Sequence, residues 1–128
     1  MKLLKPLLLS AFLGASMGAI STAALAETDE GRVTFTPQVA IANTVAKIME
    51  TRHAIDNGAD SDAAVALITE AIDLNKEINA NDVVDAKRQR GAAHLKKAKS
   101  AAKKSELQVA EEELKQAEEK FKELPNFI

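Results

Sequence analysis

Two histidines, His53 and His94, and no cysteine occur in the 128 residues, so metal and covalent chemistry have few places to reside. Met49, His53 and Asp56 stand at i, i+4 and i+7. On a helix that spacing brings a thioether, an imidazole and a carboxylate to one face, a donor set suited to a soft or borderline metal. The plainer reading, which we adopt, is that His53 flanks an apolar stripe and Asp56 faces water near the helix end. His94 is the weaker candidate, because Arg90, Lys96 and Lys97 surround it with a positive field that opposes a bound cation. A site using both histidines requires their helices to be neighbours in register.

Without cysteine, covalent haem attachment is excluded. Haem ligation by Met49 and His94 is the remaining arrangement, and four Phe with no Trp or Tyr make a poor haem pocket. Ser61 and Ser105 read as helix caps, no Gly-x-Ser-x-Gly elbow or phosphate-binding glycine loop is present, and the helix-four carboxylates are expected on its solvated face. The residues therefore predict no catalytic group, no cofactor and no enzyme.

The first 26 residues have the three-part order of a secretory leader: Lys2 and Lys5, then an apolar run from about Pro6 to Ile20, then Ala24-Leu25-Ala26. Gly14, Ser16, Gly18, Ser21 and Thr22 interrupt the apolar run, which falls short of the ~20 residues that span a bilayer. Cleavage after Ala26, with Ala24 and Ala26 at the small-residue positions, predicts a periplasmic or secreted product with no stable membrane anchor. The product has 102 residues, and losing two lysines takes its net charge from −2 to −4. That balance disfavours nucleic acid, or an anionic membrane, as a partner for the whole molecule.

Residues 27–36 show no sustained period and read as a loose arm, with the helical bundle over 37–124 and a hydrophobic tail at 125–128. Thr36-Pro37 predicts an N-cap and first helical residue, with the helix running to about Asn57 and Gly58 as its left-handed stop. Ile41, Val45, Ile48 and Ile55 form its stripe, which Arg52 interrupts. Asp60-Ser61-Asp62 begins a second helix, extending to about Ile78. Leu67, Ala71, Leu74 and Ile78 mark its stripe, with Ala64, Ile68 and Ile72 beside them. Asn81 or Asp82 caps a third helix with the stripe Val84, Gly91, Leu95, Ala98 and Ala102. A mid-helix glycine costs ~1 kcal/mol relative to alanine, so Gly91 points to a close crossing. Leu107, Ala110, Leu114, Ala117, Phe121 and Leu124 then keep a three-four alternation, a heptad seam of coiled-coil type.

The stripe jumps by about two residues near Lys104, and Ser105-Glu106-Leu107-Gln108 fits a capping box. Helices three and four therefore read as a hairpin turning at Lys103 to Ser105 rather than one continuous helix. Between Lys87 and Lys104 there are eight bases and no acid, whereas helix four is rich in glutamate. Antiparallel packing would set the basic helix against the acidic one, making the basic run an intramolecular face rather than a polyanion patch. Ala64, Ala71, Lys76, Glu77 and Ile78 precede Ala110, Ala117, Lys122, Glu123 and Leu124 by 46 residues, a faint sign of a repeated hairpin.

Ala92-Ala93-His94-Leu95-Lys96-Lys97-Ala98 and Ala110-Glu111-Glu112-Glu113-Leu114-Lys115-Gln116-Ala117 resemble segments of small periplasmic metal-binding proteins built of Ala/Lys/Glu-rich helical hairpins. The resemblance covers about Val39 to Leu124. It implies a hairpin scaffold and an export route, with His94, and His53 outside the motif, as the positions able to carry a histidine's metal role.

The expectation is an all-α protein: antiparallel hairpins forming a small three- to four-helix bundle behind a cleaved signal peptide. Its expected role is that of a non-enzymatic binding or interaction module, through an unknown protein partner or self-association. The alternatives are a low-capacity metal-binding protein for a divalent ion and an oligomer built on the helix-four seam.

Overall fold

The computed structural model describes residues 35–128. The leader, its cleavage positions Ala24 and Ala26, and residues 27–34 of the arm lie outside the described residues. Four helices follow in order: α1, Pro37–Asp56; α2, Ser61–Asn75; α3, Asp82–Lys103; and α4, Leu107–Glu123. A 3₁₀ turn, Leu124–Phe127, completes the chain. Packing joins α1 to α2, α2 to α3, α3 to α4 and α4 back to α1. The fold is thus an up-and-down four-helix bundle of two hairpins, with α1 diagonal to α3 and α2 diagonal to α4. No described helix is long and apolar enough to cross a membrane.

Each helix begins where its polar cap satisfies a first-turn amide. Thr36 Oγ1 accepts from the Val39 amide ahead of Pro37, Asp60 from Ala63, and Asn81 from Val84. The first helix of each hairpin ends in one motif. Gly58, at φ 90°, lets Ala59 N–H reach the Ala54 carbonyl while its own N–H reaches Ile55. Ser105, at φ 62°, lets Glu106 N–H reach Ala101 while its own N–H reaches Ala102. These are paired Schellman bonds around a left-handed residue. The two turns lie at the same end of the bundle, linked by a 2.8 Å contact between the Ser61 and Ser105 hydroxyls.

The hairpin turn near Lys103 to Ser105 is therefore present, but the capping box is not. Ser105 is the left-handed stop of α3, its hydroxyl is engaged by Ser61, and the α4 N-cap position, Glu106, makes no side-chain cap bond. Helix α2 also ends three residues before the expected Ile78. There the Asn75 side chain donates to the Ile72 carbonyl, and Lys76, Glu77 and Ile78 continue in a tighter i to i−3 turn. Ile78 nevertheless remains buried.

The stripes of α3 and α4 are close to those predicted. Val84, Gly91, Leu95, Ala98 and Ala102 are buried with Ala101, and Ala110, Leu114, Ala117, Phe121 and Leu124 have no exposure. Leu107 alone of the seam is half-buried. On α2 the buried line is Ala64, Ile68, Ala71 and Asn75, and Leu67 and Leu74 are displaced to its edge. On α1 it is Ala40, Ile41, Thr44, Ile48 and Thr51, with Val45 and Ile55 half-buried. Threonine can occupy this core because each hydroxyl donates back one turn, Thr44 to Ala40 at 2.9 Å and Thr51 to Lys47 at 2.7 Å.

Phe35, expected in the arm, packs half-buried against the core. The tail folds onto the bundle end: Leu124 is buried, Asn81 donates to the Phe127 carbonyl, and Lys87 Nζ sits 4.4 Å from the Phe127 ring centroid. The apolar members of the 46-residue register, Ala64 with Ala110, Ala71 with Ala117 and Ile78 with Leu124, are core residues in both hairpins.

Candidate functional site

Helix α4 places its glutamates on two different kinds of surface. Glu112, Glu119 and Glu123 are exposed as expected, but Glu118 is 7% exposed, and Glu111 and Glu113 are half-buried. For Glu111 and Glu118 the partner is Arg52, which reaches across from α1. Its Nε donates to Glu111 Oε2 at 2.9 Å and a terminal nitrogen donates to Glu118 Oε1 at 2.7 Å, while Lys122 meets the other Glu118 oxygen at 2.7 Å. Burial pushes the Glu118 carboxyl up, but the hydrogen bonds from Lys122 and Arg52 outweigh it and hold the group below the usual carboxylate range. The same bonds, to Glu118 and Glu111, raise the Arg52 guanidinium. Arg52 thus interrupts the α1 stripe because it is the cross-bundle anchor of α4. An arginine on a stripe facing a glutamate-rich helix was the available signal, and it was read only as an interruption.

Lys47 and Arg88 anchor the other two hairpin arms more modestly. Lys47 Nζ lies 2.9 Å from both Glu50 and Glu70, tying α1 to α2. Arg88 pairs with Asp85 and donates to the buried Asn75 Oδ1 at 2.8 Å, fastening α3 to the end of α2.

The metal candidates do not converge. Met49, His53 and Asp56 are exposed on α1. His94 is half-buried on the diagonal helix α3, where Nδ1 lies 2.7 Å from Glu113 Oε1. Neither a joint histidine site nor haem ligation by Met49 and His94 has the neighbouring helices it requires. Among the described residues no group of three or more His, Asp or Glu side chains is disposed to hold a metal ion.

The basic run of α3 departs most from expectation. The helix does pack antiparallel to α4, yet among the described residues the His94–Glu113 contact is the single side-chain hydrogen bond between them. Arg90, Lys96, Lys97, Lys103 and Lys104 are exposed and make no ion pair among the described residues. The physical reason is geometric. Gly91, Leu95, Ala98 and Ala102 on α3 and Leu114 and Phe121 on α4 are buried, with Phe121 set against Gly91, and the lysines stand on the opposite side of α3. A shallow groove at this end of the hairpin is lined by Lys96, Lys97, Ser100 and Lys104, with Glu106, Glu113 and the half-exposed Val109 on its α4 side.

Fold and surface together define a small all-helical bundle with a closed apolar core and one strongly basic outer face. Compared with protein-family models, with curated proteins and with solved structures, the chain finds no match.

Proposed function

We propose that the protein is an exported, non-enzymatic helical-bundle module that acts by binding a partner in the periplasm or outside the cell. The observation that carries this reading is the outer face of α3. Its five exposed cations, unpaired among the described residues, contribute nothing to the core, and like charges at i, i+4 on this helix, such as the half-buried Lys99 and the exposed Lys103, cost a few tenths of a kcal/mol in the isolated fold. A surface that folding alone does not require is best explained by something outside the chain. Photo-crosslinking from Ala93 on α3, with Ala66 on α2 as the comparison, tests it. Adducts from Ala93 alone support the module, and none from either position removes it. The export half rests on the leader: a mature chain beginning at Glu27 supports it, and an intact Met1 in the cell envelope counts against it.

A second reading, helix-mediated self-association, is favoured by a different surface. The α4 seam is buried within the bundle, so it does not reach a second copy. Val39, Ala42, Ala46 and Met49 instead form a three-four line on the outside of α1, with Val39 45% and Met49 50% exposed. Sedimentation that shows a dimer dispersed by Met49→Glu supports it. A monomer at high concentration excludes it. The metal-binding alternative, with Met49, His53 and Asp56 as its donors, rests on their common exposure along α1.

A further inference from the structure

We propose that the outer face of α3 docks on an anionic membrane surface, with the headgroup phosphates as the groups recognised. The proposal rests on the interaction-module reading above and names its partner.

Three observations point to this chemistry. Arg90, Lys97 and Lys104 recur every seven residues and Lys96 and Lys103 run beside them, so the cations form a band along one helix face. At ~1.5 Å per residue the band is about 21 Å long and runs along the exposed side of the helix, suited to an extended array of charges rather than to one enclosed ligand. Second, four of the five are lysines. An ammonium is a mobile point charge that meets a diffuse field of phosphates, whereas recognition of an individual carboxylate or phosphate favours the arginine fork. Third, among the described residues no aromatic side chain joins the band. The chain has no Trp or Tyr, Phe121 is buried, and Phe127 is held against Lys87, so no platform exists there for stacking nucleic-acid bases.

The molecule's charge distribution makes the contact directional. Its net charge is negative, so an anionic surface repels it except through α3, and binding orients the bundle with that helix inward. Ser100 adds a hydroxyl donor between Lys96, Lys97 and Lys104, and Val109 stands exposed at the groove's edge, where an apolar side chain can enter the headgroup layer.

The test is flotation with vesicles of phosphatidylglycerol or of phosphatidylcholine, using the chain from Glu27, without the apolar leader, and, alongside it, residues 35–128, which form one compact unit. We expect binding to the first vesicles only, lost near ~1 M salt, where charges are screened beyond about 3 Å. Lys96→Gln/Lys97→Gln/Lys104→Gln weakens partitioning about a hundredfold, at roughly fivefold for each cation near the surface. The control Lys76→Gln/Lys115→Gln/Lys120→Gln changes net charge equally and leaves partitioning within a few-fold. Circular dichroism confirms that both variants fold. Equal loss in the two variants overturns the proposal, and so does binding to neutral vesicles. Binding of inorganic polyphosphate through the α3 lysines without vesicle binding overturns the membrane assignment while leaving the module reading intact.

Discussion

The Phe121 ring lies directly on the backbone of Gly91: a methyl group built at Gly91 would stand 2.8 Å from Cε2 and 2.9 Å from Cζ of that ring. Contacts that short do not occur in folded proteins, and Phe121 has no room to retreat because it is wholly buried. The glycine is the recess that lets α3 and α4 approach.

Gly91→Ala therefore sets two effects against each other. Helix propensity favours alanine by ~1 kcal/mol, whereas overpacking a closed core costs ~1–3 kcal/mol. Because the clash is with a buried ring, we expect net destabilisation of up to about 2 kcal/mol. Chemical denaturation reads it directly. In the Phe121→Leu background the same change should be neutral or stabilising, and equal penalties in both backgrounds would refute the contact.

At Ser105 the left-handed backbone costs a non-glycine residue ~1–2 kcal/mol, and the exposed hydroxyl contact with Ser61 returns ~0.5–1 kcal/mol. Ser105→Gly should stabilise the protein by up to about 1 kcal/mol, and Ser105→Val should destabilise it. Gln108→Ala should be silent, within ~0.5 kcal/mol, since Gln108 has no capping role. Urea midpoints for the three variants decide between a left-handed stop and a capping box.

Arg52→Ala removes two charge-assisted hydrogen bonds and leaves Glu118 buried with Lys122 alone. A loss of about 1–3 kcal/mol is expected, or a fall in Tm of at least ~4 °C. Glu118→Gln tests the pH dependence. The folded carboxyl is held below its unfolded value of ~4.3, so its contribution is present above that pH and is lost as pH falls through the lower folded value. The stability gap between wild type and Glu118→Gln should therefore be constant near neutrality and close in acid. A gap that widens in acid would reverse the assigned shift.

Copper, nickel and zinc titrations of residues 35–128 examine the metal alternative. With Met49, His53 and Asp56 exposed and His94 held by Glu113, we expect no site tighter than about 1 mM, corresponding to ~4 kcal/mol. A micromolar site abolished by His53→Ala would restore that alternative and make α1, not α3, the functional face.

The helices, the N-caps of α1, α2 and α3, and the core faces of α3 and α4 were legible in the order of residues, because capping and apolar periodicity are local properties of the chain. Thr36-Pro37, Asp60, Gly58 and the run from Ala110 to Leu124 each act within a few turns of themselves. Three decisions belonged to the tertiary structure alone. Threonine rather than Val45 lines the α1 core, because its hydroxyl is satisfied within the helix and the rotation is chosen by the neighbours. Glu118 is buried because Arg52 arrives from a helix 66 residues away in sequence. The α3 lysines face outward because the close packing of Phe121 against Gly91 leaves them no place on the side that meets α4. Local chemistry is written along the chain, but which charges meet is set by packing between distant segments, and that depends on distances no spacing in the sequence records.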